Sequence, residues 1–229
     1  MEGLNFSFSG QELMALASGA LWWPAEQTLV VSDLHLEKAA SFARDGQFLP
    51  PYDTLETLDT LEALICHFPA QRLVLLGDSF HDQQVLSDLH PDVKARLQDL
   101  GQRLSLVWIV GNHDPDLPPF LGGQVHSDFV LGGLNFRHQA SPLFPQPGEV
   151  SGHFHPKACT KVQGRRVVRP IFALDHQRLI LPAMGTFTGG LWLHTPQLYE
   201  LFDPAQLRVL FCTRNKVTEL PCSRLEPRR

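Results

Sequence analysis

No lysine or arginine occurs before Lys38 in this 229-residue chain. The apolar stretch Leu13–Trp23 thus has no positively charged segment ahead of it, which argues against a secretory signal. Long apolar runs are missing as well: none approaches the ~18 residues that would span a membrane. Cysteine is sparse and scattered. Cys66, Cys159, Cys212 and Cys222 form no C-x-x-C pair, so neither a disulfide frame nor a zinc knuckle is expected. The expectation is four reduced thiols and a cytoplasmic chain. Charge is thin too, at 19% against roughly 25% in an average soluble domain. With 43% hydrophobic residues and a net charge of only −5, intrinsic disorder is excluded. A wholly basic, nucleic-acid-coating protein is excluded with it. No repeat period and no linker divides the chain, so a single domain over residues 1–229 is expected, its tail over 223–229 disordered. Against these absences stands one surplus: eleven histidines, many beside Asp, Asn or Gly.

Hydrophobic spacing places those clusters. Thr28–Ser32 predicts a buried strand that stops at Asp33-Leu34-His35. Asp53 reads as the N-cap of a helix, with Glu56 three residues on. Leu55, Leu58, Leu61, Leu64 and Ile65 continue at helical spacing, and Pro69 lies beyond the stop. Arg72–Leu76 predicts a second strand ending at Gly77-Asp78, and a helix through about Val85–Leu100 follows. Leu106–Val110 predicts a third strand, ending at Gly111-Asn112-His113-Asp114. Three strands thus stop at polar clusters, at the end where open α/β sheets gather their ligand sites. The second half changes character. Val125–Leu131 and Leu134–His138 flank the hairpin signal Gly132-Gly133. Further β segments are expected around Val150–Phe154, Val167–Leu174, Leu179–Leu181 and Val209–Cys212. The layout is βαβαβ followed by mostly antiparallel β, in two sheets.

Taken singly, each cluster has a plain explanation as a cap, a turn or a surface histidine. The G-H-F-H run at 152–155 is expected to set His153 and His155 on one face of a strand. The set as a whole points elsewhere. Asp33, His35, Asp78, Asn112, His138, His153 and His155 are seven oxygen and nitrogen donors with no thiolate, a mixture that suits Mn²⁺, Fe²⁺ or Zn²⁺. Seven donors serve two ions if one carboxylate bridges, and a pair ~3.5–4 Å apart clamps the attacking and leaving oxygens of a phosphoryl displacement.

The order D-x-H, G-D, G-N-H-D, H, G-H-x-H over residues 33–155 resembles the calcineurin-like binuclear metallophosphoesterases. That resemblance implies an α/β fold, a four-layer αββα sandwich with two mixed β-sheets. It implies that Asp33, His35 and His155 hold one metal, that Asn112, His138 and His153 hold the other, and that Asp78 bridges. His113 would contact the scissile phosphate or protonate the leaving group, and Asp114 would orient that imidazole. One departure matters. Gly77-Asp78-Ser79-Phe80-His81-Asp82-Gln83 is one residue longer than the G-D-x-x-D pattern and lacks the Arg-Gly of phosphoprotein phosphatases, which argues against a Ser/Thr protein phosphatase. It also introduces His81, either a phosphate or nucleic-acid contact or a histidine that fills the turn. Within the superfamily, D-L-H-L-E-K at 33–38, L-P-P-Y-D-T-L at 49–55, L-G-D-S-F-H-D at 76–82, G-H-F-H-P at 152–156 and L-P-A-M-G-T-F-T-G-G-L at 181–191 look like the bacterial DNA ligase-associated metallophosphoesterases. This closer resemblance implies a manganese-dependent endonuclease acting on single-stranded DNA in repair, alongside a ligase, a helicase and a second nuclease. In that reading a hydroxide held between two metals attacks in line, with His113 as general acid and His81 assisting. The 185–190 stretch would offer N–H groups to a phosphate or simply form a tight turn.

Charge is unevenly spread. Residues 1–62 carry ten acids and two bases, whereas 157–178 carries six bases and one acid. Lys157, Lys161, Arg165, Arg166 and Arg169 are the candidate nucleic-acid contacts, or else a solvated basic hairpin. Trp22, Trp23 and Phe80 are candidates to stack on unpaired bases, with core packing the commoner fate of such rings. Two other readings use the same residues: a small-molecule phosphoesterase acting on nucleotides or a pyrophosphate, and a partner-binding scaffold with a decayed metal site. Retention of all seven donors and His113 speaks against the scaffold. His67, His90, His126, His176 and His194 carry no assigned chemistry.

Overall fold

In the computed structural model, which describes residues 2–141 and 148–227, the N-terminal stretch without motifs forms an antiparallel meander. Its strands are β1 (Gly3–Phe8), β2 (Gln11–Leu16) and β3 (Leu21–Trp23), and β3 pairs antiparallel with β4 (Thr28–Val31). Helices α1 (Lys38–Arg44) and α2 (Asp53–His67) lead to β5 (Arg72–Leu75). Helix α3 (Pro91–Arg103) then leads to β6 (Ser105–Ile109), and β7 (Gln124–His126) closes the sheet. Strands β4 to β7 run parallel, so this sheet is mixed, in the order β1-β2-β3-β4-β5-β6-β7.

The second sheet begins with the hairpin β8 (Asp128–Leu131) and β9 (Leu134–Arg137), followed by β10 (Glu149–Ser151). A second hairpin, β11 (Lys157–Val162) and β12 (Arg165–Leu174), precedes β13 (Arg178–Ile180), the short helix α4 (Pro196–Tyr199), β14 (Arg208–Cys212), β15 (Val217–Leu220) and β16 (Leu225–Glu226). The order is β15-β14-β12-β13-β10-β9-β8, with β11 held between β12 and β16. Parallel pairs β9·β10 and β10·β13 sit among antiparallel ones, so this sheet is mixed too.

Alternation along the strands sorts the interior into layers. Side chains at successive positions point to opposite faces. Leu29, Leu73, Leu75, Leu106 and Trp108 therefore pack with Leu58, Leu61 and Leu97 of the helices. Their neighbours Val30, Val74, Val107 and Ile109 meet Phe172, Leu174 and Leu210 of the second sheet. On the far face of that sheet Ile171, Ala173, Val209 and Phe211 pack with Leu198, Leu201 and Phe202. Helix, sheet, sheet, helix is the expected stacking, and its fourth layer is thin. Among the described residues no helix is long and apolar enough to cross a membrane.

Local boundaries differ from the sequence expectations in four places. Asp53 does not cap its own helix; Tyr52 is the N-cap, and the Asp53 carboxylate accepts from the Ala39 N–H (3.0 Å), capping α1 instead. The helix expected through 85–100 is a 3₁₀ turn, Gln83–Leu86, and then α3. Pro91 keeps His90 extended and opens the new helix as its first residue, while the His90 ring accepts from Asp92 N–H. The run Val125–Leu131 is two strands, because the chain leaves the first sheet at Ser127 and enters the second. Finally, the tail expected to be disordered is ordered through Glu226: Cys222–Arg224 form a 3₁₀ turn and Leu225–Glu226 pair with β11. Arg228 and Arg229 lie outside the described residues.

Candidate metal centre

All seven donors anticipated from the sequence converge where the two sheets meet. Asp33 and His35 follow β4, Asp78 follows β5, and Asn112 follows β6; His138 follows β9, while His153 and His155 follow β10. The parallel ladder continues irregularly past the strand ends, with His35 N–H donating to Asp78 O (2.9 Å) and Leu36 N–H to Ser79 O (2.9 Å). Ten described non-glycine residues have a left-handed φ, and five are among the seven donors: Asp33 (52°), His35 (44°), Asp78 (47°), His153 (68°) and His155 (45°). Each such residue costs about 1 kcal/mol in backbone strain, a cost that concentrates at functional sites. This corrects the expectation for the G-H-F-H run. β10 stops at Ser151, and the two imidazoles are aimed by left-handed turns, not by strand alternation. Gly152 makes the sheet junction possible, since a Cβ there would overlap Ser32 Oγ and the Asp33 carboxylate.

The donor atoms fall into groups. Asp33, His35 and His155 form one and Asp78, His138 and His153 another, each with ligand atoms within 4.8 Å of one another. His35 Nε2 lies 3.3 Å from His155 Nε2, which lies 3.2 Å from Asp33 Oδ1. His138 Nε2 has three possible ligand atoms around it: Asn112 Oδ1 (3.0 Å), His153 Nδ1 (3.1 Å) and Asp78 Oδ2 (3.3 Å). Its other nitrogen, Nδ1, donates to the Leu76 carbonyl at 2.8 Å, which leaves Nε2 with a bare lone pair. The Asn112 and Asp78 oxygens only accept, so a cation at the centre, either a proton or a metal, relieves the repulsion among these lone pairs. Asp78 Oδ2 also lies 4.0 Å from His35 Nε2, so one carboxylate oxygen sits between the groups. The residues fit two divalent ions.

Electrostatics agree with that fit. Burial holds the His35 imidazole down to about 3, only partly opposed by the Asp33 charge, so it stays neutral with a lone pair to share. Burial also keeps His153 below its ordinary value, with the neighbouring His138 adding to the effect. His138 is the opposite case. Burial works against its charge, yet the hydrogen bond and charge of Asp78, with Asp33, push it up to about 9. The field that would hold a proton on Nε2 would hold a dication there instead. Burial by itself would raise Asp78, but His138 and the His113 N–H outweigh it and keep the carboxylate ionised.

His113 is held at the rim of this cluster. Its N–H donates to Asp78 Oδ1 (2.9 Å), and its ring lies 5.1 Å from that of His35 and 5.4 Å from that of His81. Its Nδ1 is 2.6 Å from the His81 carbonyl oxygen, and because a carbonyl only accepts, Nδ1 carries hydrogen and Nε2 is left to take or release a proton. The expectation for Asp114 is thereby corrected. Its fully buried carboxylate accepts from the N–H groups of Gly111, Asp78, Ser79 and Phe80, and it makes no hydrogen bond to the His113 ring. Burial, helped by the Asp78 charge, pushes Asp114 up to about 6 against the N–H groups of Phe80, Ser79 and Gly111. Asp82 is also unavailable to His113, because Ser41, Arg44 and the N–H groups of Gln84 and Val85 engage it. The main-chain oxygen in the lengthened 77–83 run orients His113 instead, a role that no residue-type signal could reveal. The His81 ring itself is half-buried, with Nδ1 unpartnered beside His35 and His113.

The basic run divides. Lys157 and Arg169, at the base of the β11–β12 hairpin, line a cleft of about 170 Å³ together with His155, Thr188 and Gly189. Lys161 and Arg166 lie near the hairpin tip, where both pair with Glu226 (3.1 and 3.4 Å), and Arg165 is exposed at the turn. Trp22, Trp23 and Phe80 are core residues, 5%, 1% and 0% exposed, which removes them as stacking platforms. In the 185–190 stretch the first two N–H groups serve the fold, Gly185 donating to Asp33 O and Thr186 to Thr57 Oγ1.

Comparison with known proteins follows the same line. The calcineurin-like phosphoesterase profile matches residues 27–217. The solved structure of nuclease MPE from Pseudomonas putida is 30% identical, with a TM-score of 0.73, covering 96% of this chain and 100% of that one. The phosphoesterase YfcE from E. coli is 15% identical, with a TM-score of 0.44 over 84% of this chain and 97% of that one. No relative is found among curated protein sequences. Seven clustered nitrogen and oxygen donors at the junction of two mixed sheets, and a profile that spans both sheets, place the chain in the calcineurin-like phosphoesterase family.

Proposed function

We propose that this protein is a nuclease that hydrolyses phosphodiester bonds of single-stranded or flexible DNA, with two divalent ions as cofactors, manganese first and Fe²⁺ or Zn²⁺ as substitutes. The observation that carries this reading is the arrangement of His113: outside the ligand set, oriented through Nδ1, and free at Nε2 beside the donor cluster. Asp33, His35 and His155 would hold one ion, Asn112, His138 and His153 the other, with Asp78 between them. Bound there, the ions supply Lewis acidity and an activated water near neutral pH. His113 gives its Nε2 proton to the departing sugar oxygen, a poor leaving group that needs one. The His81 carbonyl keeps the ring aimed, and the His81 ring adds polar contact to the same phosphate. Lys157 and Arg169 follow the strand away from the cleft beside His155. The nuclease neighbour at 30% identity supports the polymer substrate. Action in cytoplasmic DNA repair, beside a ligase, a helicase and a second nuclease, belongs to this reading on the strength of the motif resemblance.

The test follows from the leaving group. His113→Ala should reduce Mn²⁺-dependent cleavage of an unstructured oligonucleotide at least a hundredfold while sparing most hydrolysis of an activated aryl phosphodiester. Equal losses on both substrates would remove the general-acid role. Turnover of mononucleotides without oligonucleotide cleavage would favour the small-molecule reading.

A further inference from the structure

Only three aromatic side chains are strongly exposed among the described residues: Phe48 (86%), Tyr52 (49%) and Phe187 (41%). They do not scatter. Tyr52 and Phe187 lie 135 residues apart in sequence, yet their ring centroids are 6.5 Å apart. Phe48, four residues before Tyr52, lines the adjoining apolar depression of about 600 Å³ over α1 and α2. Contacts connect this ridge to the metal centre. Lys38 Nζ donates to the Phe187 carbonyl (3.1 Å) and sits 5.5 Å above the Phe42 ring, which is 5.4 Å from His81.

Phe187 is also strained, with φ at 60°, a conformation a bulky residue adopts only when its surroundings impose it. The surroundings do so. Gly185 and Thr186, just before it, are tied by their N–H groups to Asp33 O and Thr57 Oγ1, and Leu191, four residues after, to Phe154 O. The fold therefore spends backbone strain to hold an apolar ring out in water, next to a ligand-bearing segment. The same loop gives Thr188 and Gly189 to the cleft lined by Lys157 and Arg169. One short loop thus carries cations on one flank and aromatic faces on the other. This alternation matches a single nucleic-acid strand, which offers phosphates on one side and unstacked bases on the other. A duplex has no free base faces to offer.

We infer that Tyr52 and Phe187, flanked by Phe48 and Lys38, form a stacking platform for unpaired bases of the DNA strand whose phosphate occupies the metal centre. The inference rests on the nuclease reading above and names the feature that would select single strands. The test uses the metal-loaded protein and an oligodeoxynucleotide that contains 2-aminopurine and hydrolysis-resistant phosphorothioate linkages. Stacking quenches that base, so binding is read without turnover. Phe187→Leu and Tyr52→Leu should each weaken binding about tenfold and reduce the quench, the size of one lost base–aromatic stack. Phe187→Trp should retain both, and aryl phosphodiester hydrolysis should be unchanged in all three. Unaltered affinity and quench in the two leucine variants, with unaltered melting temperature, would overturn the platform; so would equal loss in Phe187→Leu and Phe187→Trp. A wild-type protein that binds and quenches this strand but never cleaves its phosphodiester counterpart would instead overturn the nuclease reading and leave the platform standing.

Discussion

The two sheets deliver the same kind of donor by different local means. In the first, three adjacent parallel strands end in Asp33 and His35, in Asp78, and in Asn112 with His113, each within a few residues of the last paired position. In the second, His138 follows an antiparallel hairpin, and His153 and His155 sit in a left-handed turn after a three-residue strand. The first arrangement repeats one device, a strand that stops and a polar cluster that begins. The second depends on where the sheet is pressed against its neighbour, because His153 N–H donates to the Asp33 carboxylate across the junction (3.0 Å). A site made this way is as strong as its joint.

The joint is where the comparison breaks most easily. Gly152→Ala would force a methyl group into Ser32 and Asp33, separating the second sheet's imidazoles from the first sheet's carboxylates. We expect loss of nearly all hydrolysis on every substrate and fewer than two metal ions per chain by elemental analysis, whereas Gly164→Ala, at the open hairpin tip, should cost only about 1 kcal/mol. A Gly152→Ala protein with two ions and full activity would show that the sheets do not need this contact.

A smaller effect tests the first sheet alone. Asp114 ties the loops after β5 and β6 together by accepting four N–H groups, so Asp114→Asn should lower stability by about 1–3 kcal/mol in denaturant titrations. It should not change the ratio of DNA cleavage to aryl diester hydrolysis, since His113 is oriented by the His81 carbonyl. A selective loss on DNA would return Asp114 to the role the motif implied.

The smallest effect separates the two ends of the β11–β12 hairpin. Removing one phosphate contact from a single strand lowers the salt slope of binding by about 0.7. Lys157→Ala and Arg169→Ala should each do this and raise KM for DNA a few-fold. The double change Lys161→Ala with Arg166→Ala should move slope and KM less than either base variant, because both side chains are already engaged by Glu226. Equal slopes for base and tip variants would mean the strand runs along the whole hairpin.

What could be read in advance follows from this contrast. β4, β5 and β6 are short apolar runs with β-branched residues, and the donor motifs sit directly at their ends, so strand, stop and ligand were legible together. The meander β1–β3 was not, because its apolar residues carry no motif and its pairing is decided by partners later in the chain. The break at Ser127 was hidden for the same reason: one uninterrupted pattern serves two strands that find partners in different sheets. Asp53 looked like a cap for the helix it opens, but the acceptor was already claimed by the α1 N-terminus.

The sequence by itself determined the donors. Residue identity settles which atoms can share a lone pair, so seven oxygen and nitrogen donors without a thiolate already implied borderline or hard divalent ions. Tertiary structure alone decided what each group faces. It set His138 Nε2 beside three other ligand atoms, gave the Asp114 carboxylate to main-chain N–H groups and paired two cations of the hairpin tip with a glutamate from the tail. It also buried three aromatics that had looked available and exposed Tyr52 and Phe187 side by side. The physical reason is distance. Interactions between charges, lone pairs and rings fade within a few ångströms, and only the folded chain brings segments more than a hundred residues apart into that range.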